Sequence, residues 1–202
     1  MRAVLFILFG LAATLGPSSV RALDPGDLAR VEKTSRCYGC DLLGADFRKR
    51  KLYHANLGDS DLRLAQFTGA KLDGARFIGS DLRGASFRGV SMRFANLRSA
   101  NLYGVDLRGA DLVATRLNGT NLRAADLTDA NLGAGDLVRA DVSGADFTRT
   151  RLYGTNLVGV IGLTQTQLDG ACGDKTTKLP RGLAINRCTV GRNFRAPLPF
   201  GK

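Results

Sequence analysis

The sequence lacks tryptophan and contains a single histidine, four cysteines and five prolines among its 202 residues. His54 is the only candidate for a histidine general base, and we expect it to lie on the surface after Tyr53. The sequence shows no set of His, Cys and acidic residues that would be expected to form a catalytic site. No glycine motif has the spacing of a phosphate-binding loop. These absences argue against an enzyme, and the sequence predicts neither a metal site nor a cofactor.

Acidic residues are also scarce, with 18 Asp and Glu against 29 Lys and Arg, which gives a formal net charge of +11. A basic balance favours acidic partners such as nucleic acid, anionic lipid or acidic polysaccharide. The alternative is that the net charge serves only to keep the chain in solution.

Only the N-terminus carries a long apolar run. Residues 3–16 are apolar, they follow Met1 and Arg2, and Val20 and Ala22 stand three and one residues before a cut after Ala22. This layout predicts a secretory signal peptide over residues 1–22. A retained membrane anchor is the alternative, but a span needs about 20 apolar residues. We therefore expect a periplasmic or secreted protein with no transmembrane span after cleavage and a mature charge of +9.

A strict repeat of five residues fills most of the remaining chain. Large apolar residues, here called centres, recur at every fifth position from Leu42 to Leu157 without a slip. They comprise 17 Leu, 5 Phe, Met92 and Val142. A helix has a period of 3.6 and a strand a period of 2, so neither explains the pattern. A period of five predicts a chain that turns a corner every five residues.

The positions around each centre are nearly as regular. Two residues before the centre, at the inner small position, Ala occurs thirteen times and Arg50 is the one misfit. The pre-centre position is usually Asp or Asn, and Gly often closes the unit. We interpret the pre-centre carboxylates as acceptors of local backbone hydrogen bonds. With four units to a coil, position n should stack on n + 20, so Phe47, Phe67 and Phe87 should share a column.

The units resemble the pentapeptide-repeat family, whose motif is roughly Ala-Asp/Asn-Leu-x-x, and the resemblance suggests an exported member. It covers about residues 40–159 and implies an all-β solenoid, a right-handed quadrilateral β-helix. Twenty-four units at four per coil would make about six coils, roughly 29 Å long at ~4.8 Å per coil. Some members of the family protect topoisomerases by mimicking DNA. This basic chain with an export signal does not suit that role, which remains an alternative.

A solenoid needs caps, because its ends expose apolar core and unpaired strand edges. Residues 23–39 are predicted to form an N-terminal helical cap, with Asp24 as N-cap and a helix over residues 25–35. Residues 160–202 are predicted to form a C-terminal cap and a basic tail. Thr164 with Gln167 fits a capping box there, and Gly170 can end the helix.

The four cysteines are expected to form disulfides, since export implies an oxidising compartment. Cys37 and Cys40 belong to the first coil, whereas Cys172 and Cys188 follow the last. Bonded Cα atoms lie within about 7 Å, so we predict Cys37–Cys40 and Cys172–Cys188. The same separation argues against a four-cysteine zinc site. The Cys37-x-x-Cys40 spacing is also typical of thiol redox proteins, so a redox function is an alternative.

Arginine follows the centre in several units and marks the candidate binding surface. On the n + 20 rule, Arg63, Arg83 and Arg123 stack in one column with Tyr103 between them. The next column contains Arg48, Arg88 and Arg108. One interpretation is ion pairing with aspartates across coils, which contributes little at a surface. The other is an arginine-rich face that binds an acidic envelope polymer or a protein.

The sequence thus predicts an exported, non-enzymatic interaction or structural module. The partner is an unknown protein or an acidic envelope polymer, and nucleic acid is not expected. The alternatives are a DNA mimic that protects topoisomerase and a thiol redox protein.

Overall fold

The computed structural model describes residues 23–188. The predicted signal peptide, residues 1–22, and the tail from residue 189 onward lie outside the described residues. Two helices, α1 (Pro25–Thr34) and α2 (Gln165–Asp169), flank a long region joined by single-residue parallel bridges. Within residues 23–188, no helix is both long enough and apolar enough to cross a membrane.

Each five-residue unit closes with a tight turn. In the first coil the Ala45 amide donates to the Leu42 carbonyl over 3.0 Å. The residue two places after each centre has positive φ, for example 69° at Gly44 and 56° at His54. A type II turn requires positive φ at its third residue, and glycine adopts that conformation without steric cost. The recurrent glycine of the repeat is therefore the residue that turns the corner.

The turns stack into a continuous parallel ladder. Bridges pair position n with n + 20 from Arg36↔Asn56 to Asp141↔Ile161, without a change of register. The Leu62 amide donates to the Asp81 carbonyl over 2.8 Å, and the Asp81 amide donates to the Ser60 carbonyl over 3.0 Å. The stacking rule that the period predicted is confirmed. Residues 20 apart therefore occupy equivalent environments.

The centres form the core, and all of them from Leu42 to Leu157 are buried. The predicted phenylalanine column is confirmed: ring centroids are 5.0 Å apart for Phe47 and Phe67, and 4.7 Å apart for Phe67 and Phe87. Phe77 meets the Phe67 ring edge-on at 5.9 Å. The rings pack face to face because the ladder holds neighbouring coils about 4.8 Å apart.

Polar residues at the inner small position are satisfied in two ways. The buried hydroxyls of Thr115 and Thr155 donate to the carbonyls of Met92 and Leu132 at 3.0 and 2.8 Å. A buried hydroxyl without such a partner would destabilise the core. Arg50, the misfit of the repeat, is instead exposed and forms an ion pair with Glu32 of α1 at 2.9 Å.

Helix α1 lies against the first coil. Asp24 is its N-cap, accepting from the amides of Gly26 and Asp27, and Pro25 begins the helix. The Asp41 amide of the first coil donates to the Asp27 carboxylate over 2.9 Å. Val31 of α1 is fully buried. The helix thus occupies the stretch that the sequence predicts and provides partners to the first strand edge.

Helix α2 interrupts the ladder after Ile161. The predicted capping box of Thr164 and Gln167 is present, and Gly170 is the C-cap. The Gln167 side-chain amide donates to the carbonyls of Val142 and Ala145. Beyond the helix, bridges pair Arg151 with Cys172 and Asn156 with Lys178. The first bridged pair beyond the helix is one residue further apart than the regular 20, and the next pair is two residues further apart. The regular register therefore ends at α2.

Replacing Phe67 by alanine should lower the free energy of unfolding by about 3–5 kcal/mol, because the cavity would lie between two stacked rings. Phe94→Ala is the matched control, since Phe94 is 64% exposed. The Phe94→Ala substitution should lower the free energy of unfolding by no more than about 1 kcal/mol. Denaturant unfolding of both variants measures the difference. Equal losses would contradict a packed phenylalanine column.

Candidate functional site

The pre-centre aspartates have a structural function. Each accepts a hydrogen bond from the amide two residues later, for example from Arg48 to Asp46 at 3.0 Å and from Thr148 to Asp146 at 2.8 Å. The prediction of local backbone bonding is confirmed for all ten aspartates: Asp41, Asp46, Asp61, Asp81, Asp106, Asp111, Asp126, Asp136, Asp141 and Asp146. This bonding accounts for the repeated carboxylates without invoking catalysis.

The same aspartates bind arginines of the predicted surface. Arg63 donates through Nε and Nη2 to Asp61, at 2.8 and 2.6 Å, and Arg83 binds Asp81 in the same bidentate way. The expectation of pairing across coils was therefore only partly right. Among the arginines of the predicted surface, the shortest pairs lie within one unit, because the arginine stands two residues after the aspartate.

Other ion pairs join residues of neighbouring coils. Arg123 follows Asn121, which carries no charge, and reaches Asp141 of the next coil at 3.4 Å. Arg108 has its own partner in Asp106 at 2.6 Å and a second carboxylate 3.4 Å away in the next coil. The predicted arginine column is therefore largely neutralised by its own scaffold.

These pairs shift the acidity of the carboxylates. The hydrogen bond from the Arg48 guanidinium, aided by that from its amide, lowers the pKa of Asp46 to about 2. The Arg108 guanidinium likewise holds the pKa of Asp106 below its ordinary value. Both shifts favour the ionised form. The pairs are exposed, so they contribute little to stability.

A shallow groove brings part of the predicted surface together. Its lining comprises Leu43, Arg63, Leu64, Arg83, Gly84, Tyr103 and Gly104. Tyr103 is 50% exposed and Leu64 is 59% exposed, so the floor is apolar and open to solvent. Arg123 lies one coil further along the same column, whereas Arg48, Arg88 and Arg108 belong to the neighbouring face. We call this set of lining residues the groove.

The sequence interpretation missed Leu64. It occupies a corner position that carries glycine in twelve of the 24 units, and its φ is 60°. A bulky residue in this conformation is strained, and a large apolar side chain on the surface is unfavourable as well. A leucine in a glycine slot was the signal that could have identified it. Phe94, with φ 59° and 64% exposure, is a second such residue.

The cysteines form the two disulfides that the sequence predicts. Cys37 and Cys40 have Cα atoms 5.6 Å apart, and Cys172 and Cys188 have Cα atoms 4.8 Å apart. Cys37 and Cys40 are buried beneath α1, where Arg30 Nη1 lies 3.7 Å from the Cys40 sulfur. Asp27 is also close to this pair. Because the two sulfurs are bonded to each other, they do not provide thiolates for a metal.

Five-residue turns repeat along the described chain, and parallel bridges join residues 20 apart. The family model described as Pentapeptide repeats matches in eight copies, over residues 35–69, 91–129, 106–138 and 125–161. The chain belongs to the pentapeptide repeat family, whose members form right-handed quadrilateral β-helices.

Solved structures of the family resemble this chain. HetL, a pentapeptide repeat protein involved in heterocyst differentiation regulation in the cyanobacterium Nostoc sp. strain PCC 7120, is 27% identical with a TM-score of 0.66. The match covers 74% of this chain and 64% of HetL, so the chain spans less than two thirds of that protein. Rfr23 of the cyanobacterium Cyanothece 51142 is 23% identical, with 77% and 98% covered and a TM-score of 0.41. No curated protein matches the sequence.

Asp46 should titrate with a pKa of about 2, and Arg48→Gln should raise that value towards ~3.9. Because folding depresses this pKa, its contribution to stability is complete above pH ~3.9 and is lost as the pH falls through about 2. Carboxyl chemical shifts measured by NMR would give both values. Arg76→Gln is the control and should leave Asp46 unchanged. An unchanged pKa in Arg48→Gln would contradict the assigned cause.

Removing the Cys172–Cys188 disulfide by double alanine substitution should lower the free energy of unfolding by about 3 kcal/mol, since it closes a long loop. Removing Cys37–Cys40, whose residues are three apart, should cost about 2 kcal/mol on the same chain-entropy basis. Denaturant unfolding would compare the two variants. A larger loss from the shorter loop would show that local packing, rather than loop closure, determines the effect.

Proposed function

We propose that this protein is an exported, non-enzymatic docking module whose groove binds a protein partner. The observation that carries the proposal is the groove itself. It places Arg63 and Arg83 beside the exposed side chains of Leu64 and Tyr103. Arg and Tyr are enriched at the energetically dominant positions of protein interfaces.

The strain at Leu64 supports a functional interpretation of the groove. Glycine occupies the equivalent corner in the coils on both sides, at Gly44 and Gly84. Glycine at position 64 would remove both the backbone strain and the exposed apolar surface. A partner that buries Leu64 would gain from that surface on binding.

The scaffold suits docking because it is preorganised. We propose that the rod consists of about six coils with α1 and α2 as its caps, following the domain limits predicted above. The groove would then need little ordering when a partner binds, which favours affinity. The two disulfides support an oxidising compartment, periplasmic or extracellular, reached through the predicted signal peptide of residues 1–22.

The other candidate functions have less support. An acidic envelope polymer would have to compete with Asp61 and Asp81 for the arginines of the groove. A DNA mimic needs an acidic surface, whereas this chain has an excess of Lys and Arg. A thiol redox function would need accessible sulfur atoms, and Cys37 and Cys40 are 1% and 3% exposed.

A photo-crosslinking amino acid at position 103 should yield a discrete protein adduct in the cells that make this protein. The adduct should be lost when Leu64→Ser or Arg83→Gln is added, because each substitution removes part of the groove. Position 143 lies on the same column two coils away and is the matched control. Adducts of equal strength at both positions, or adducts that persist in both variants, would contradict a docking groove.

The acidic-polymer alternative has a separate test. Mature protein and a variant with Arg63, Arg83, Arg88, Arg108 and Arg123 changed to Gln would be compared for binding to acidic polymers and lipids at two salt concentrations. We expect the two proteins to bind alike, since Asp neutralises four of these arginines. Salt-sensitive binding lost only in the variant would favour the polymer over the protein partner.

A further inference from the structure

A second set of arginines lies on a different face of the rod from the groove. Parallel bridges join, in succession along one column, Arg36, Asn56, Arg76, Asn96 and Arg116. Arginine and asparagine therefore alternate. Because neighbouring coils are about 4.8 Å apart, the arginines recur about every 9.6 Å. We call Arg36, Arg76 and Arg116 the arginine ladder.

The arginine ladder differs from the groove in its ion pairs. Arg63 and Arg83 each have a carboxylate at 2.6 Å. Across the part of the chain that the structure describes, no ion pair involves Arg36, Arg76 or Arg116, and all three are exposed. The cause lies in the sequence, since Arg76 and Arg116 occupy the pre-centre slot that carries aspartate in ten other units. Their positive charge is not neutralised by the scaffold.

Other charges on the same face add to this excess. Arg98 and Arg139 are exposed, and neither forms an ion pair within residues 23–188. The acidic residues of the face are Asp59 and Asp136. The Asp136 carboxylate accepts the Val138 amide over 3.3 Å. Asp136 follows Arg116 in the same column, so positive charge dominates this face between Arg36 and Arg116, where it would attract a polyanion.

An aromatic ring lies beside the arginine ladder. Tyr38 is 67% exposed, and its hydroxyl donates to the Asp59 carboxylate. Its ring lies against Gly58 of the next coil, where a Cβ atom would come within 3.2 Å of two ring carbons. Glycine at this position lets the ring pack close to the backbone. The Tyr38 ring is thus held by its hydroxyl and along one edge, and it leaves an apolar surface open to solvent.

We propose that the arginine ladder and Tyr38 bind a linear, carboxylated polysaccharide. Arginine binds carboxylates in a planar, bidentate manner, and the asparagines between them can donate to and accept from hydroxyls. An exposed tyrosine ring offers an apolar surface to the C–H face of a sugar. The evenly spaced column suits a polymer whose charges recur at a fixed interval. This inference goes beyond the docking groove, because it uses another face and other residues.

Two other polyanions are outcomes of the test. Proteins that bind single-stranded nucleic acid stack successive bases on several aromatic side chains, whereas Tyr38 is one ring at one end of the column. An anionic membrane would attract any cationic face and would not depend on the ring. Nucleic acid and an anionic membrane would both bind through charge. The probes must therefore distinguish binding that needs only negative charge from binding that also depends on the shape of the polymer.

The experiment measures binding of mature protein by titration calorimetry to four probes: polygalacturonate, neutral dextran, single-stranded DNA and phosphatidylglycerol vesicles. Polygalacturonate should bind most tightly, and its affinity should fall as salt is added. Arg76→Gln with Arg116→Gln should weaken this binding by at least about tenfold, since two charge-assisted contacts are lost. Tyr38→Ala should weaken it too, whereas Tyr38→Phe keeps the ring and should bind nearly as wild type.

Arg63→Gln with Arg83→Gln is the matched control, since it removes the same charge from the groove. Its dissociation constant for polygalacturonate should stay within about twofold of the wild-type value, because those arginines are already paired with aspartates. Circular dichroism confirms that each variant is folded. Equal loss in both double variants, no binding of polygalacturonate, or tighter binding of DNA or vesicles would overturn the proposal. None of these results would bear on the groove, which the crosslinking at position 103 tests separately.

Discussion

The structure depends on one constraint, the parallel backbone ladder that joins each residue to the residue 20 places later. The ladder fixes the distance between coils, and that distance determines what fits between them. Phenylalanine rings stack at 4.7–5.0 Å because the backbone holds them there. Most side chains at the inner small position are Ala, Ser or Thr, since each coil has little interior area. The strict sequence pattern is a consequence of this geometry.

The same ladder sorts the surface into columns, and the columns differ in charge. Where aspartate fills the pre-centre slot, the arginine two residues later is bound by it, as in Asp81 with Arg83. Where arginine fills that slot, as at Arg76 and Arg116, the unit has no aspartate there, and neither of these two arginines forms an ion pair within residues 23–188. Net charge alone does not distinguish these faces. The residue in the pre-centre slot therefore determines which arginines are bound by an aspartate of their own unit.

Much of the fold could be predicted from the sequence, because a period of five leaves few alternatives. The buried centres, the phenylalanine column, the pre-centre hydrogen bonds and the positions of both helices all follow from local pattern. The ion pairs did not follow, since stacking places two carboxylates within reach of one arginine and the pattern does not choose between them. Leu64 and Tyr38 were also missed. The significance of Leu64 depends on its strained backbone at a corner. The significance of Tyr38 depends on a glycine in the next coil.

The register of 20 has a consequence for how such a chain can change in length. Duplication of one coil would insert 20 residues, leave every downstream column on its own face and lengthen the rod. Duplication of one unit would insert five residues and rotate all later columns by a quarter turn. Arg116 would then leave the line of Arg36 and Arg76, although the core would still be filled. The packing tolerates growth in steps of five, whereas a surface that spans several coils tolerates only steps of 20.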